Sequence, residues 1–356
     1  MSATTVRRSV RRDQAPPRRG LVGGLGRPLC LAIAIAVLAA IALASLVLGS
    51  RHLPMGTAYD ALLRYDPTDE AQAVIHSLRV PRTIIGLLAG LALGLAGAVM
   101  QGVSRNPLAD PGILGVNAGA ALAVLTAVHF LGVTTLLGYV WFAFAFAGAG
   151  VAVVIVYLIS SLGRDGATPV KLALAGTAVT ALLASFTTLV QLLDVRTMDA
   201  YRAWSVGSLA GRGADVAAEV WPFVAVGAVL ALAGGRVLNT LALGDDVARS
   251  LGQSVTRARI VCGVAIMILA GAATAAAGPI VFVGLTVPHI ARAIVGPDYR
   301  WVLPYSAVLA PILLLVADIV GRLAVAPAEL QVGIVTALLG APMFIALVRR
   351  KNLASL

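Results

Sequence analysis

Few residues in this chain have the types and spacings that chemistry requires. His52, His76, His129 and His289 lie far apart and form no ligand spacing used for a metal. Cys30 and Cys262 both fall inside apolar runs, which leaves neither a disulfide framework nor a CxxC redox pair. Lys171 and Lys351 do not follow a glycine, so the sequence lacks the GxxxxGK[ST] loop that cradles nucleotide phosphates. Any uphill work therefore draws on an ion gradient or on a partner. A gradient would be read from ionisable groups in apolar sequence. The clear case is Asp318 in "LLLVADIVGRLAV" (313–325), with Arg322 four residues on and on the same helix face. A structural ion pair is the cheaper reading, because secondary transporters carry several such groups near the midplane.

Two other stretches carry unusual residues. "RNPLADPGILG" (105–115) separates two apolar runs, 83–102 and 116–133. Asn106-Pro107 and Asp110-Pro111 push the residues before proline out of helical geometry and remove two backbone donors. The chain is expected to break there and re-enter as a short helix, in a place where protein or water satisfies the backbone. "LNTLALGDDVARSLGQSVTRARIV" (238–261) predicts a short amphipathic helix, Asp245–Ser250, bracketed by Gly244 and Gly252. Asp245 and Asp246 occupy its first turn, where the helix dipole favours them. Leu243, Val247, Ala248 and Leu251 give it an apolar face, suited to lipid or to a partner's grip.

The elements that must position these stretches follow from composition. The chain is 59% hydrophobic and 12% charged, with a mean hydropathy of +0.94, which no water-soluble core requires. About ten apolar runs are long enough for transmembrane helices, near 28–48, 82–102, 115–131, 137–162, 169–190, 217–236, 257–278, 281–295, 301–324 and 331–348. The third and eighth are short. The expected fold is an all-α polytopic membrane protein: a basic, disordered cytoplasmic tail (1–27) followed by one transmembrane domain (28–350). Ala42-Leu43-Ala44 resembles a signal cleavage site but lies within its apolar run, so a retained first helix is expected. With both termini cytoplasmic, nineteen of the 27 Lys and Arg fall on cytoplasmic segments, in keeping with the positive-inside bias. The net charge of +11 then reports orientation and not nucleic-acid binding. Gly86, Gly90, Gly94 and Gly97, with Gly271 and Ala275, are placed for close helix approach.

"ALGDDVARSLG" (242–252) resembles the coupling-helix signature of the bacterial iron–siderophore and vitamin B12 ABC-importer permeases, the FecCD family. "RVPRT" (79–83), "GAVMQGVSRNPLADPGILGVNAGA" (97–120), "GPIVFVGLTVPHIAR" (278–292) and "AELQVGIVTALLGAPMFIALVRR" (328–350) are similar to that family's other motifs, in the family's order. The likeness covers about residues 50–350.

It implies a type II ABC-importer permease with ten transmembrane helices and an inverted internal repeat, in a bacterial plasma membrane. The implied partners are a second permease subunit (a copy or a paralogue), a cytosolic ABC ATPase that holds ATP and magnesium, and an extracytoplasmic substrate-binding protein. This chain itself binds no cofactor, and it is a transport subunit and not an enzyme. Residue by residue, the resemblance assigns ATPase coupling to Leu243, Gly244, Asp245, Asp246, Ala248, Leu251 and Gly252. It assigns the cytoplasmic gate to Asn106, Pro107 and Leu108, and docking of the binding protein to Arg79, Arg82 and Arg322. Arginine suits docking because its planar fork holds carboxylates bidentately.

"WSVGSLAGRG" (204–213) is more like the siderophore permeases than the vitamin B12 type; its glycines and Trp204 could shape an entrance or form a packed loop. A ferric siderophore is the expected cargo, with cobalamin and haem as the alternatives. Two other function classes compete. A gradient-driven secondary transporter requires more buried carboxylates, and a polytopic enzyme requires clustered His, Asp and Glu on its helices.

Overall fold

The computed structural model describes residues 21, 26–49, 53–132, 139–162 and 168–349. The basic tail expected over 1–27 lies almost wholly outside the described residues. The regular structure among the described residues is helical. The first half contains α1 (Gly26–Val47), α2 (Met55–Leu63), α3 (Glu70–Val74), a π-helical turn (Ile75–Arg79) and α4 (Val80–Ser104). A 3-10 turn (Pro111–Leu114) then leads into α5 (Val116–Leu131), α6 (Tyr139–Ser161), α7 (Pro169–Leu193) and α8 (Val195–Ser205). The second half contains α9 (Ala214–Ala233), α10 (Gly235–Ala242), α11 (Asp245–Ser250), α12 (Val255–Ala277), α13 (Val283–Val295), α14 (Tyr299–Ala324) and α15 (Val332–Arg349).

Among the described residues, seven helical segments are long and apolar enough to cross a bilayer, and three apolar helices are shorter. Together they occupy the ten expected spans. Connections that read as loops in the sequence contain α2, α3, α8 and α10, whose apolar positions are too few to mark a span. The short spans have a structural cause. With 16 residues, α5 rises about 24 Å, and with 13 residues α13 rises about 20 Å, less than the hydrocarbon core of about 30 Å. Each is preceded by a break in the α-helix, at 105–115 and 278–282.

The two halves exchange partners. Helix α4 packs on α13 and α14, while α12 packs on α5 and α6. The C-terminal end of α4 lies beside the N-terminal end of α12, since Arg105 and Arg259 meet on one carboxylate. Antiparallel α4 and α12 with exchanged partners define an inverted repeat. The breaks correspond as well. Positive φ occurs at Arg105 (51°) and Gly115 (78°) in the first, and at Gly278 (77°) and Phe282 (69°) in the second. Each break has one glycine and one side-chain-bearing residue in this sparsely allowed region. Opposite Phe282, Gly340 leaves no Cβ where the phenyl root must sit.

The α4 glycines set the spacing of the centre. A Cβ at Gly90 would stand 2.5 Å from Pro311 Cα, and one at Gly97 would overlap the Gly284 carbonyl. The contacts are backbone to backbone, so no rotamer change relieves them. Expected outcome: Gly97→Ala lowers the thermal stability of the detergent-solubilised protein, by about 1–3 kcal/mol for overpacking. A Cβ at Gly263 meets nothing within 4 Å, so Gly263→Ala is neutral or mildly stabilising. Equal melting of the two variants would remove close approach as the reason for Gly97.

Candidate coupling and gate site

Helix α11 begins after Gly244, whose φ of 105° and ψ of 156° place it where only glycine is comfortable. Its limits agree with the sequence expectation, and Gly252 (φ 81°) ends the knob on the other side. Ala248 is buried in a small core with Leu241, Val255 and Ala258, which seats the helix on α10 and α12. Leu243, Val247 and Leu251 stand at 61%, 45% and 65% exposure, so the apolar face has no cover within this chain. Asp246 is solvent-facing and pairs with Arg249 at 3.0 Å. Asp245 points the other way. Its Oδ1 accepts from Arg105 at 2.6 Å, and Arg259 donates to Oδ2 at 2.9 Å.

Arg105 is also the first residue of the broken segment. The Asn106 side chain accepts from the Leu108 amide at 2.9 Å, and the Asn106 carbonyl accepts from Ala109 N at 3.1 Å, which closes a tight turn around Pro107. Asn106 is exposed, and Pro107 and Leu108 are half-buried. Asp110 caps the 3-10 turn by accepting from Gly112 N at 2.8 Å. Burial raises its carboxyl above the usual aspartate range, against the Gly112 bond. Gly176 of α7 lets the Ile113 carbonyl approach closely. The structure thus brings the residues assigned to coupling and to the gate together, through Arg105.

The three arginines assigned to docking lie at the opposite end of the bundle. Arg79 is buried and donates to the Leu46 and Val47 carbonyls at 2.8 and 2.6 Å. Arg322, 2% exposed, donates to the Ser45 and Leu48 carbonyls at 2.9 and 2.8 Å, and to Ser45 Oγ at 2.8 Å. These are the carbonyls left over at the C-terminal end of α1, so both guanidiniums act as its caps. Neither offers its fork to an outside carboxylate. Arg82 reaches the surface edge, holding Asp318 at 2.8 Å and the part-exposed Glu329 at 2.7 Å. Asp318, fully buried, also pairs with Arg322 at 3.1 Å. It is a structural hub with a guanidinium on each side.

The 204–213 segment is packed: Trp204 and Leu209 are buried, Ser208 N donates to the Ala277 carbonyl at 2.8 Å, and Gly333 N to the Gly207 carbonyl at 3.1 Å. It braces the second break. On α7, Thr177, Ala181, Ala184 and Thr188 line up at helical spacing on an exposed face. Thr177 and Thr188 donate back to the Ala173 and Ala184 carbonyls at 3.0 Å, so the stripe tolerates water without offering strong ligands. No group of three His, Cys, Asp or Glu placed to hold a metal occurs among the described residues.

Several residues escaped the sequence reading. Gln101 is a lone amide in an apolar run, and its role appears only in three dimensions. Pro288 has no N–H for the Gly284 carbonyl four residues before it. Gln101 Nε2 donates to the Gly284 and Leu285 carbonyls at 3.3 and 3.1 Å, and Arg292 donates to its Oε1. In the sequence Arg105 and Arg259 are indistinguishable from other basic residues of the connections, and nothing local marks Glu329. Glu219, part-buried in the second turn of α9, is a further carboxylate within an apolar helix.

A family model described as the FecCD transport family matches residues 37–350. The chain is 40% identical over 309 residues to the "Probable siderophore transport system permease protein YfiZ" of Bacillus subtilis (strain 168), covering 86% of this chain and 91% of that one. It is 44% identical over 308 residues to the "Ferric enterobactin transport system permease protein FepD" of Escherichia coli (strain K12), again over 86% and 91%. A solved structure described as an inward-facing conformation of a metal-chelate type ABC transporter superposes with a TM-score of 0.78 at 28% identity, over 90% of this chain and 99% of that one.

The Asp318 hub generates a direct expectation. Asp318→Asn leaves Arg82 and Arg322 without their buried counter-charge, and removal of one partner from such a network costs about 3–5 kcal/mol. Unfolding in detergent, followed by melting or denaturant titration, should report a loss of that order. Asp246→Asn, at the solvent-facing position of α11, should leave melting unchanged. An Asp318→Asn protein as stable as its parent would show that the hub does not hold this end together.

Proposed function

The chain belongs to the FecCD transport family, and on that premise we propose that it is the membrane-spanning permease subunit of an ATP-driven importer of ferric siderophores. It lies in a bacterial plasma membrane with both termini cytoplasmic, so that α11 faces the cytosol. A cytosolic ABC ATPase supplies the nucleotide chemistry, which this sequence has no loop to perform. A second permease subunit completes the path, with the small, hydroxyl-bearing stripe of α7 facing it. An extracytoplasmic binding protein delivers cargo to the opposite end, where the Arg82–Glu329 pair reaches the surface. Iron enters already chelated, so the reading requires no ligand cluster on this chain. Cobalamin and haem are the alternative cargoes.

The observation that carries the reading is α11. Its uncovered Leu243, Val247 and Leu251 offer an apolar grip, while Asp245 ties the same helix to the broken segment. A gradient-driven carrier fits less well, because the clear carboxylate of the apolar helices, Asp318, is already held by two guanidiniums.

Reconstitution in proteoliposomes tests the class. Uptake of a ferric siderophore should require ATP and the co-reconstituted ATPase, and it should persist when ion gradients are collapsed. Gradient-dependent uptake by this chain alone would replace the importer reading with the secondary-transporter one. For the gate, Leu108→Ala should raise ATP turnover without matching uptake, since it removes the side chain that excludes water. Normal coupling in that variant would move the gate elsewhere.

A further inference from the structure

The coupling helix and the gate are joined by more than proximity. Asp245 is the first residue of α11, and its carboxylate is shared between two arginines that begin or end other elements. Arg105 terminates α4 and opens the broken segment; Arg259 lies in the second turn of α12. The bonds are 2.6 Å from Arg105 Nη2 to Oδ1 and 2.9 Å from Arg259 Nη2 to Oδ2. One carboxylate therefore holds the ends of both central helices, one from each inverted half.

The backbone on both sides of the Arg105–Asp245 bond is unusual. Arg105 sits in the left-handed region at φ 51°, rare for a residue with a long side chain. Gly244, next to Asp245, sits at φ 105°. A residue with a side chain in the left-handed region is held there by its surroundings, and such residues cluster at ligand clamps and switch regions. Beside the last turn of α4 lies a small cavity of about 50 Å³, lined by Met100, Val103, Ser104, Leu114 and Ile266 and reaching Arg259. The pair itself is easily remade: the Arg105 and Asp245 side chains are 35% and 24% exposed, so water can replace each bond as it breaks.

We propose that Asp245 is a positioning residue that clamps Arg105 and Arg259, and that displacement of α11 by the ATPase reaches the gate segment through the Asp245–Arg105 bond. The proposal rests on the reading of α11 as the ATPase contact and of 105–115 as the gate. It adds the bond by which one moves the other. Arg105 donates to Oδ1, and Arg259, which donates to both oxygens at 3.1 and 2.9 Å, keeps Asp245 in place when the Arg105 bond is lost. The clamp therefore predicts a specific pattern of coupling between two positions and not a general loss of stability.

The test uses the complete importer, with its ATPase and binding protein, in proteoliposomes. The parent chain carries Cys30→Ala, Cys262→Ala and Leu108→Cys. The thiol-labelling rate at position 108 is measured nucleotide-free and after ATP–vanadate trapping, alongside ATP hydrolysis. In the parent the two rates should differ. Arg105→Gln should keep hydrolysis and ATPase association but reduce the nucleotide dependence of labelling by about fivefold or more, the scale of typical inter-site coupling. Arg105→Lys should keep it. Arg105→Gln with Asp245→Asn should be no worse than Arg105→Gln alone, as two residues on one link require. Undiminished nucleotide dependence in Arg105→Gln, or strictly additive losses in the double variant, overturns the clamp. A parent whose labelling does not change with nucleotide overturns the gate reading itself, and the clamp falls with it. If Arg105→Gln fails to insert, Arg105→Lys with Asp245→Asn takes its place: loss of nucleotide dependence supports the clamp and retention overturns it.

Discussion

A helix that stops inside an apolar bundle leaves its last carbonyl oxygens with no donor, and in lipid each such group costs several kcal/mol. The unusual residues of this chain are largely answers to that constraint. Helix α1 ends with four free carbonyls, Ser45 to Leu48, and the guanidiniums of Arg79 and Arg322 donate to all four. Proline inside α13 frees the Gly284 carbonyl, and Gln101 from α4 reaches across to it. Side chains from distant sequence complete local backbone, so the helices cannot separate without exposing it. Helix ends, and not helix bodies, lock the bundle.

Capping by arginine has an electrostatic consequence. Two positive charges brought inside the bundle require a negative one, and Asp318 supplies it from the same helix as Arg322, with Arg82 on its other side. The aspartate that reads as a possible ion-path residue in the sequence is thus the counter-charge of a capping system. This also explains why arginine and not lysine occupies these positions. Each guanidinium serves two or more acceptors at fixed angles, which a single ammonium on a flexible stem does less well.

The sequence was legible where a signal is local. Hydropathy placed the ten spans, the two X-Pro pairs placed the first break, and glycines with first-turn aspartates placed α11 to the residue. The α4 glycines were recognisable as contact positions because their spacing matches one helix face. What was not legible depends on residues far apart in the chain. Arg79 and Arg322 lie beside motifs that resemble a docking surface, and nothing nearby shows that α1 ends between them. Gln101 needs Pro288 to explain it, and Arg105 needs Asp245, 140 positions on. The short helices α2, α3, α8 and α10 are illegible for another reason. Short elements at a membrane boundary bury too little to leave a clear period.

The two ends of the bundle hold their charges differently, and this bears on where movement can occur. Around Asp318 the carboxylate is fully buried and Arg322 is 2% exposed, so parting them would strand charges in a medium that cannot solvate them. Around Asp245 the carboxylate and Arg105 are 24% and 35% exposed, although Arg259 is only 12%, so water replaces a broken Arg105–Asp245 bond at little cost. The first network also fixes α1, α4 and α14 through backbone caps, whereas the second joins side chains alone. A permease that alternates access needs some contacts that survive every state and others that are remade in each cycle. The α1 capping system has the properties of the first kind and the Asp245 clamp those of the second. Rearrangement within this subunit should therefore concentrate at the α11 end, with the capped end of α1 carried along as a unit.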